Sequence, residues 1–118
     1  MISQQEMPMY IKDALPALSH ELTESKEVNV YDAMNALTHY TSKNIAAHDY
    51  NTVKHCFEVA ARLYSRGNTI VKNAVQNIFV YSFTQLFNTY SRERKELIQI
   101  LPLSLYALYI DQVHHRGC

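Results

Sequence analysis

Histidine and cysteine have the most chemistry to offer in this sequence: His20, His39, His48, His55, His114 and His115, with Cys56 and Cys118. A transition-metal site wants two ligands at i and i+4 on one helix face, or an equivalent convergence, with thiolates or carboxylates beside them. The histidines lack that spacing. His48 and His55 straddle a predicted turn, and the adjacent His114 and His115 would leave a helix about 100° apart. Cys118 could join that pair only as an adventitious chelator in a flexible tail. Nucleophilic catalysis needs Ser, Cys or Thr beside an activating base. The nearest adjacency is His55-Cys56, whose side chains leave a helix in different directions, so a buried Cys56 beside an exposed His55 is expected. A phosphate loop cannot be built around Gly67 alone, and no paired carboxylates sit in the apolar segments where a perturbed acid would belong. No catalytic residue, metal ligand or cofactor is assigned on these grounds. An enzyme, metal- or small-molecule-dependent, would have to use histidines that converge only in the fold.

Recognition without reaction is better represented. Asn73, Asn77, Tyr81 and Gln85 follow one another at intervals of four and form one uncharged row with about seven hydrogen-bonding groups. Such a row could bind peptide backbone or a polar ligand in a groove. It could also tie its helix to neighbouring helices, and of the two, internal packing is the plainer expectation. Nine tyrosines and no tryptophan supply large amphipathic contacts, which suit either the edge of a small helical core or a partner surface. Arg66-Gly67-Asn68 with Lys72 is superficially similar to a helix-turn-helix corner, but a DNA reader needs a basic second helix and this one loses its charge after Lys72. Eleven Lys and Arg balance eleven Asp and Glu, so no net field draws the chain to phosphate backbones or anionic lipid. Neither nucleic acid nor membrane is an expected partner.

The elements that must position these residues are helices. Two glycines and three prolines leave too few turn residues for hairpins and Greek keys. From Thr69 to Tyr90 no charge occurs after Lys72, and Val71, Ala74, Val75, Ile78, Phe79, Phe83, Leu86 and Phe87 cover well over half the circumference of a helix. A helix of that kind is expected at the centre, surrounded by the others. Before it, Val53, Cys56, Phe57, Ala60, Leu63 and Tyr64 recur at threes and fours over Tyr50–Arg66, with Lys54, Glu58, Arg62 and Arg66 opposite on what reads as a solvated face. Asp49 is placed to cap this helix, and Gly67 to end it in a left-handed conformation. The Gly67-Asn68 link is so short that the 50–66 and 69–90 helices must form an antiparallel hairpin.

Upstream, a first helix beginning near Gln4 carries Met7, Ile11, Ala14 and Leu15 to Pro16, where a kink or fresh start is expected, with Leu18 and Leu22 continuing to Ser25. Thr23 to Asn29 reads as a connection. Asn29 caps a helix from Val30 to His48 with Asp32 in its first turn. Downstream, Ser91 is placed to cap a short charged restart. Pro102 opens a last helix from Leu103 to Val113, and His114 to Cys118 reads as a frayed tail. The fold class is therefore all-α: one domain, residues 1–118, as a compact bundle of five to six helices.

A lone cysteine in a helical pattern and a second at the chain end are a poor disulfide framework, which favours a reducing, cytoplasmic setting. The N-terminus lacks a signal-peptide pattern, and Asn77, Gln85 and Asn88 argue against the charge-free stretch spanning a membrane.

The segment LYSRGNTIVKNAVQNIFVYSF, followed by ILPLSLYALYIDQ, resembles a family of small bacterial all-helical domains of unknown function. Its members share a Gly-Asn turn before a V-x-N-A-x-x-N-x-F/Y helix and end in a Leu-Pro helix. The resemblance covers residues 50–112. It implies a bacterial origin and a protein-interacting role like that of single-domain immunity proteins that neutralise toxins, with no catalytic residues to carry over. A non-enzymatic interaction domain is the leading expectation, and a homo-oligomeric structural module is a further one. In the last helix Leu105, Tyr106, Leu108, Tyr109 and Ile110 leave little for water. A two-fold homodimer is expected there, meeting through Leu105, Tyr106 and Tyr109.

Overall fold

The computed structural model describes residues 1–18 and 29–116. The chain begins with a turn that the sequence encodes and the periodicity conceals. Ser3-Gln4-Gln5-Glu6 is a reciprocal capping box: the Ser3 amide donates to Glu6 Oε1 at 3.1 Å and the Glu6 amide to Ser3 Oγ at 3.2 Å. Those bonds from Ser3 hold the Glu6 carboxyl below its ordinary range. Helix α1 then spans Met7–Ala14 and buries Met7 and Ile11. Pro16 stops it, as expected, and Pro16–Leu18 forms a single 3-10 turn. The expected continuation to Ser25 and the connection up to residue 28 lie outside the described residues.

Helix α2 is Val30–Ala46, with Asn29 Oδ1 accepting the Asp32 amide at 2.8 Å. It ends in a Schellman motif: the His48 amide donates to Ile45 O and the Asp49 amide to Asn44 O, each at 3.0 Å. The position that usually takes glycine is held by His48 at φ 58°. Its Nδ1 lies 3.2 Å from the Tyr50 hydroxyl, a contact that helps hold it there. Helix α3 is Tyr50–Arg66, capped as expected by Asp49, whose Oδ1 accepts the Thr52 amide at 3.2 Å.

Gly67 joins α3 to the next helix, and here the structure corrects the expected left-handed cap. Its φ is −73° and ψ 158°, an extended conformation. Glycine is required for closeness instead. A Cβ there would sit 2.4 Å from Leu63 O and 2.5 Å from Val71 Cγ1. The N-terminal segment threads past the same point, with the Ile2 amide donating to Arg66 O at 2.7 Å and the Asn68 amide to Ile2 O at 2.9 Å. This one-pair bridge is the only sheet-like pairing among the described residues.

The central segment is not one α-helix. Helix α4, Thr69–Ala74, passes into a π-turn, Val75–Val80, and resumes as α5, Phe83–Thr89. The wide turn is marked by the Tyr81 amide donating back five residues to Gln76 O at 3.2 Å. Spacing explains it. Val71, Val75, Phe79, Phe83 and Phe87 recur every four residues, so on a regular helix the last would be rotated about 160° from the first. Absorbing one extra residue cuts the drift to about 60°, and all five side chains are buried. Nor is the segment surrounded: it buries one face and leaves the other in solvent.

Helix α6 is Arg94–Ile100, preceded by Glu93 with no side-chain cap, so Ser91 does not cap it as expected. Helix α7 runs from Leu103 to Arg116, beyond the expected end at Val113, and takes His114 out of the supposed frayed tail. The core is one continuous cluster from Met7 to Tyr109. All four phenylalanines meet in it, Phe57 against Phe79 and Phe83 at ring-centroid distances of 6.2 and 5.8 Å, with Phe87 5.0 Å from Tyr109. Phe57 lies ten residues before Gly67 and Phe79 eleven after Asn68, near enough to equal for the pairing an antiparallel α3–α4/α5 hairpin produces.

Candidate functional site

The uncharged row lies on the solvent side of the central segment. Asn73, Asn77, Tyr81 and Gln85 are all exposed, Tyr81 by 48 %, so the row borders solvent rather than lying within the core. The π-turn falls inside this row, between Asn73 and Tyr81, and such turns recur where a helix is adapted to function. At its C-terminal end the row opens into a groove of about 460 Å3 between α2 and α5. Asn35, Thr38, His39 and Ser42 form one wall, at the turn-to-turn spacing of one helix face. Ser82, Gln85 and Thr89 form the other, over Leu86 and Tyr90.

The walls offer amides and hydroxyls, with one imidazole and no formal charge. Some of their hydrogen-bonding capacity is already committed: the Thr38 hydroxyl donates to Met34 O at 2.8 Å, and the Ser82 hydroxyl to Phe79 O at 2.6 Å. Each keeps oxygen lone pairs for an incoming donor, while Asn35 and Gln85 present whole amides. Neutral donors and acceptors ranged along a groove match peptide backbone or an uncharged polar surface. The Ser82 proton is bound to a main-chain carbonyl, so this serine has no base to activate it.

The described residues suspected of chemistry are dispersed, and His20 and Cys118 lie outside the described residues. Among the described residues no three His, Cys, Asp or Glu side chains gather where a metal ion could be held. Cys56 is buried, and burial pushes its thiol up to about 11, with a hydrogen bond to Thr41 partly opposing the shift. His55 beside it is exposed, as expected, but has a structural task. Its Nε2 lies 2.8 Å from Ala14 O, so that nitrogen carries the proton and donates to the last turn of α1. Burial, with the carboxylates of Glu96 and Glu93, raises Tyr50 above the ordinary phenol range. None of these groups lines the groove.

The expected dimer contacts are also relocated. Leu105 is fully buried and Tyr109 is 6 % exposed, both in the chain's own core, whereas Tyr106 is half-buried. Leu105 and Tyr109 cannot meet a second copy without unfolding this one. Gln112 on the same helix donates weakly to Val80 O and Thr84 Oγ1, each at 3.4 Å, which ties α7 to the end of the π-turn.

The sequence profile of the domain of unknown function DUF7674 matches residues 8–115. The chain belongs to this family. No curated protein and no solved structure matches it. The DUF7674 match extends well beyond the 50–112 segment on which a family resemblance was expected, and takes in every helix from α1 to α7. The DUF7674 unit is thus the whole bundle, with groove and uncharged row both inside it. Among the described residues, no helix is long and apolar enough to cross a membrane.

Proposed function

We propose that this chain is a non-enzymatic protein-interaction domain, a cytoplasmic bacterial scaffold of the immunity-protein kind that neutralises a toxin by holding it. The row Asn73, Asn77, Tyr81 and Gln85 and the groove beside α2 form the docking face. One observation carries the reading: this face is exposed, continuous and uncharged, whereas the exposed faces of α3 and α6 are charged. Amides and a tyrosine satisfy a partner's backbone groups without the desolvation cost of ions, and tyrosine adds contact area at little entropic expense.

The test is photo-crosslinking in the source cells, with a benzophenone amino acid at Tyr81 or, as control, at Lys95 on the charged face of α6. A discrete adduct from position 81 alone, identified by mass spectrometry and abolished by Asn77→Arg, supports the reading. Equal labelling from both positions, or an adduct indifferent to Asn77→Arg, defeats it. Growth rescue against the product of the adjacent gene then separates an immunity role from any other protein partner.

A homodimer stands as a second reading on a different stripe of α7 from the one expected. Leu103, Tyr106, Ile110 and Val113 recur at intervals of three, four and three, the seam spacing of paired helices. Leu103 is 80 % exposed and Val113 39 %. Sedimentation of the parent and of Leu103→Glu decides it: a dimer converted to a folded monomer supports this seam, and a parent that is already monomeric removes it.

A further inference from the structure

Lys54, Glu58, Arg62 and Arg66 follow at intervals of four along α3, and their exposure makes an ordinary solvated stripe the first reading. The tertiary structure gives them a setting that a solvated stripe lacks. They line one wall of an open groove of about 550 Å3, closed on its far side by Ile100, Pro102 and Ser104 at the junction of α6 and α7. Within the described residues no ion pair or side-chain hydrogen bond engages Lys54, Arg62, Arg66 or Glu58. The hydroxyl of Ser65, between the two arginines, is turned back to Arg62 O at 3.3 Å. Three cations and one carboxylate therefore line the same wall of a groove whose far side carries no charge, an excess of two positive charges in a chain whose overall charge is zero.

We propose that this groove binds an acidic segment of a partner protein, with carboxylates opposite Arg62 and Arg66 and a further one opposite Lys54. The guanidinium is suited to the site because its planar fork accepts a carboxylate bidentately. Twelve residues separate Lys54 from Arg66, about 18 Å of helix, which is the length of a short peptide and too long for a single small anion to span. The open mouth fits the same occupant, since it admits an extended chain and would leave a small molecule largely in water. Glu58 sets register: it repels a carboxylate placed midway and admits an uncharged or basic residue there. The groove shares no residue with the uncharged face, so this binding neither needs nor implies the docking proposed there.

The experiment is nuclear magnetic resonance titration of the full 15N-labelled chain with a synthetic peptide bearing two glutamates two residues apart, about 6.6 Å in an extended chain against about 6 Å between Arg62 and Arg66, and a third glutamate four residues further along, opposite Lys54. The same peptide with glutamines, inorganic phosphate and a single-stranded oligonucleotide serve as comparisons. Shifts concentrated at Arg62, Ser65, Arg66 and Ser104 are expected, with affinity weakened roughly fivefold or more by each of Arg62→Gln and Arg66→Gln. Glu58→Gln should strengthen binding, which a merely cationic surface in general would not predict, and Lys43→Gln on α2 should leave it unchanged. All four positions are exposed, and unaltered melting of the variants separates lost binding from lost fold. The proposal is overturned if the glutamine peptide binds as well, if phosphate or the oligonucleotide binds more tightly at the same residues, or if Lys43→Gln weakens binding as much as Arg62→Gln.

Discussion

At the scale of single residues, the structure separates groups that look reactive from groups that are merely buried. Cys56 is the clearest case. Its thiol, moved from an ordinary value near 9 to about 11, stays protonated at neutral pH and is a poor nucleophile. The shift also has a consequence for stability. A folded-state value above the unfolded one means the native chain holds its proton longer. The contribution is therefore intact below about pH 9 and is lost as pH rises through about 11. Two units correspond to about 2.7 kcal/mol. Urea midpoints measured from pH 8 to 11 should fall more steeply for the parent than for Cys56→Ala, tyrosine ionisation being common to both. Parallel curves would show that Cys56 does not carry the shift. Gly67 makes a related point about residue identity. Its presence at a helix end suggested a left-handed φ, but closeness to Leu63 O and Val71 selects it. Only the packed neighbours can impose that requirement.

At the scale of elements, the π-turn is the feature most open to test. If it absorbs one residue so that Phe79, Phe83 and Phe87 share a face, deleting exposed Asn77 should restore a regular helix with the same face inward. The variant is expected to remain helical and within about 1 kcal/mol of the parent in urea denaturation, since the core is kept and only a surface amide is lost. Deleting Glu58, equally exposed but in regular α3, would rotate everything after it by about 100° and should abolish cooperative unfolding. If both deletions unfold the chain, the π-turn is not a one-residue accommodation. The starts of α2 and α3 were legible beforehand, because Asn29 and Asp49 cap through bonds to residues only three positions away, whereas α2 ends at Ala46 rather than at the expected His48, whose positive φ closes the turn after it. The Ser3–Glu6 capping box is equally local, but apolar periodicity alone carried the expected helix back to near Gln4, and α1 begins only at Met7. The π-turn was not legible, since a four-residue spacing fits a regular helix almost as well over any two turns.

At the scale of the whole molecule, the radius of gyration of 13.6 Å is close to the value of about 13.5 Å for a compact single domain of this length. The last helix is part of that globule. A glutamate at Leu105, fully buried, would place a carboxylate in the core and is expected to unfold the chain. Leu103→Glu, two residues earlier and exposed, should leave circular dichroism and melting unchanged. A folded Leu105→Glu protein would mean that α7 is detachable. The sequence could not choose between those leucines, because a helix apolar on nearly every side has no amphipathic direction of its own.

The all-α class, the α3–α4 hairpin and the faces of α2 and α3 were set by the sequence alone, since periodicity, caps and a two-residue link act within a few turns of chain. The tertiary structure alone decided that the Asn73–Gln85 row faces solvent, that Thr38 and Gln85 share one groove, and that the basic stripe of α3 lines another. Each of these depends on which helix packs against which, and that is settled by burying the aromatic cluster of Phe57, Phe79, Phe83, Phe87 and Tyr109 from elements far apart in the chain. Local spacing carries no information about that choice.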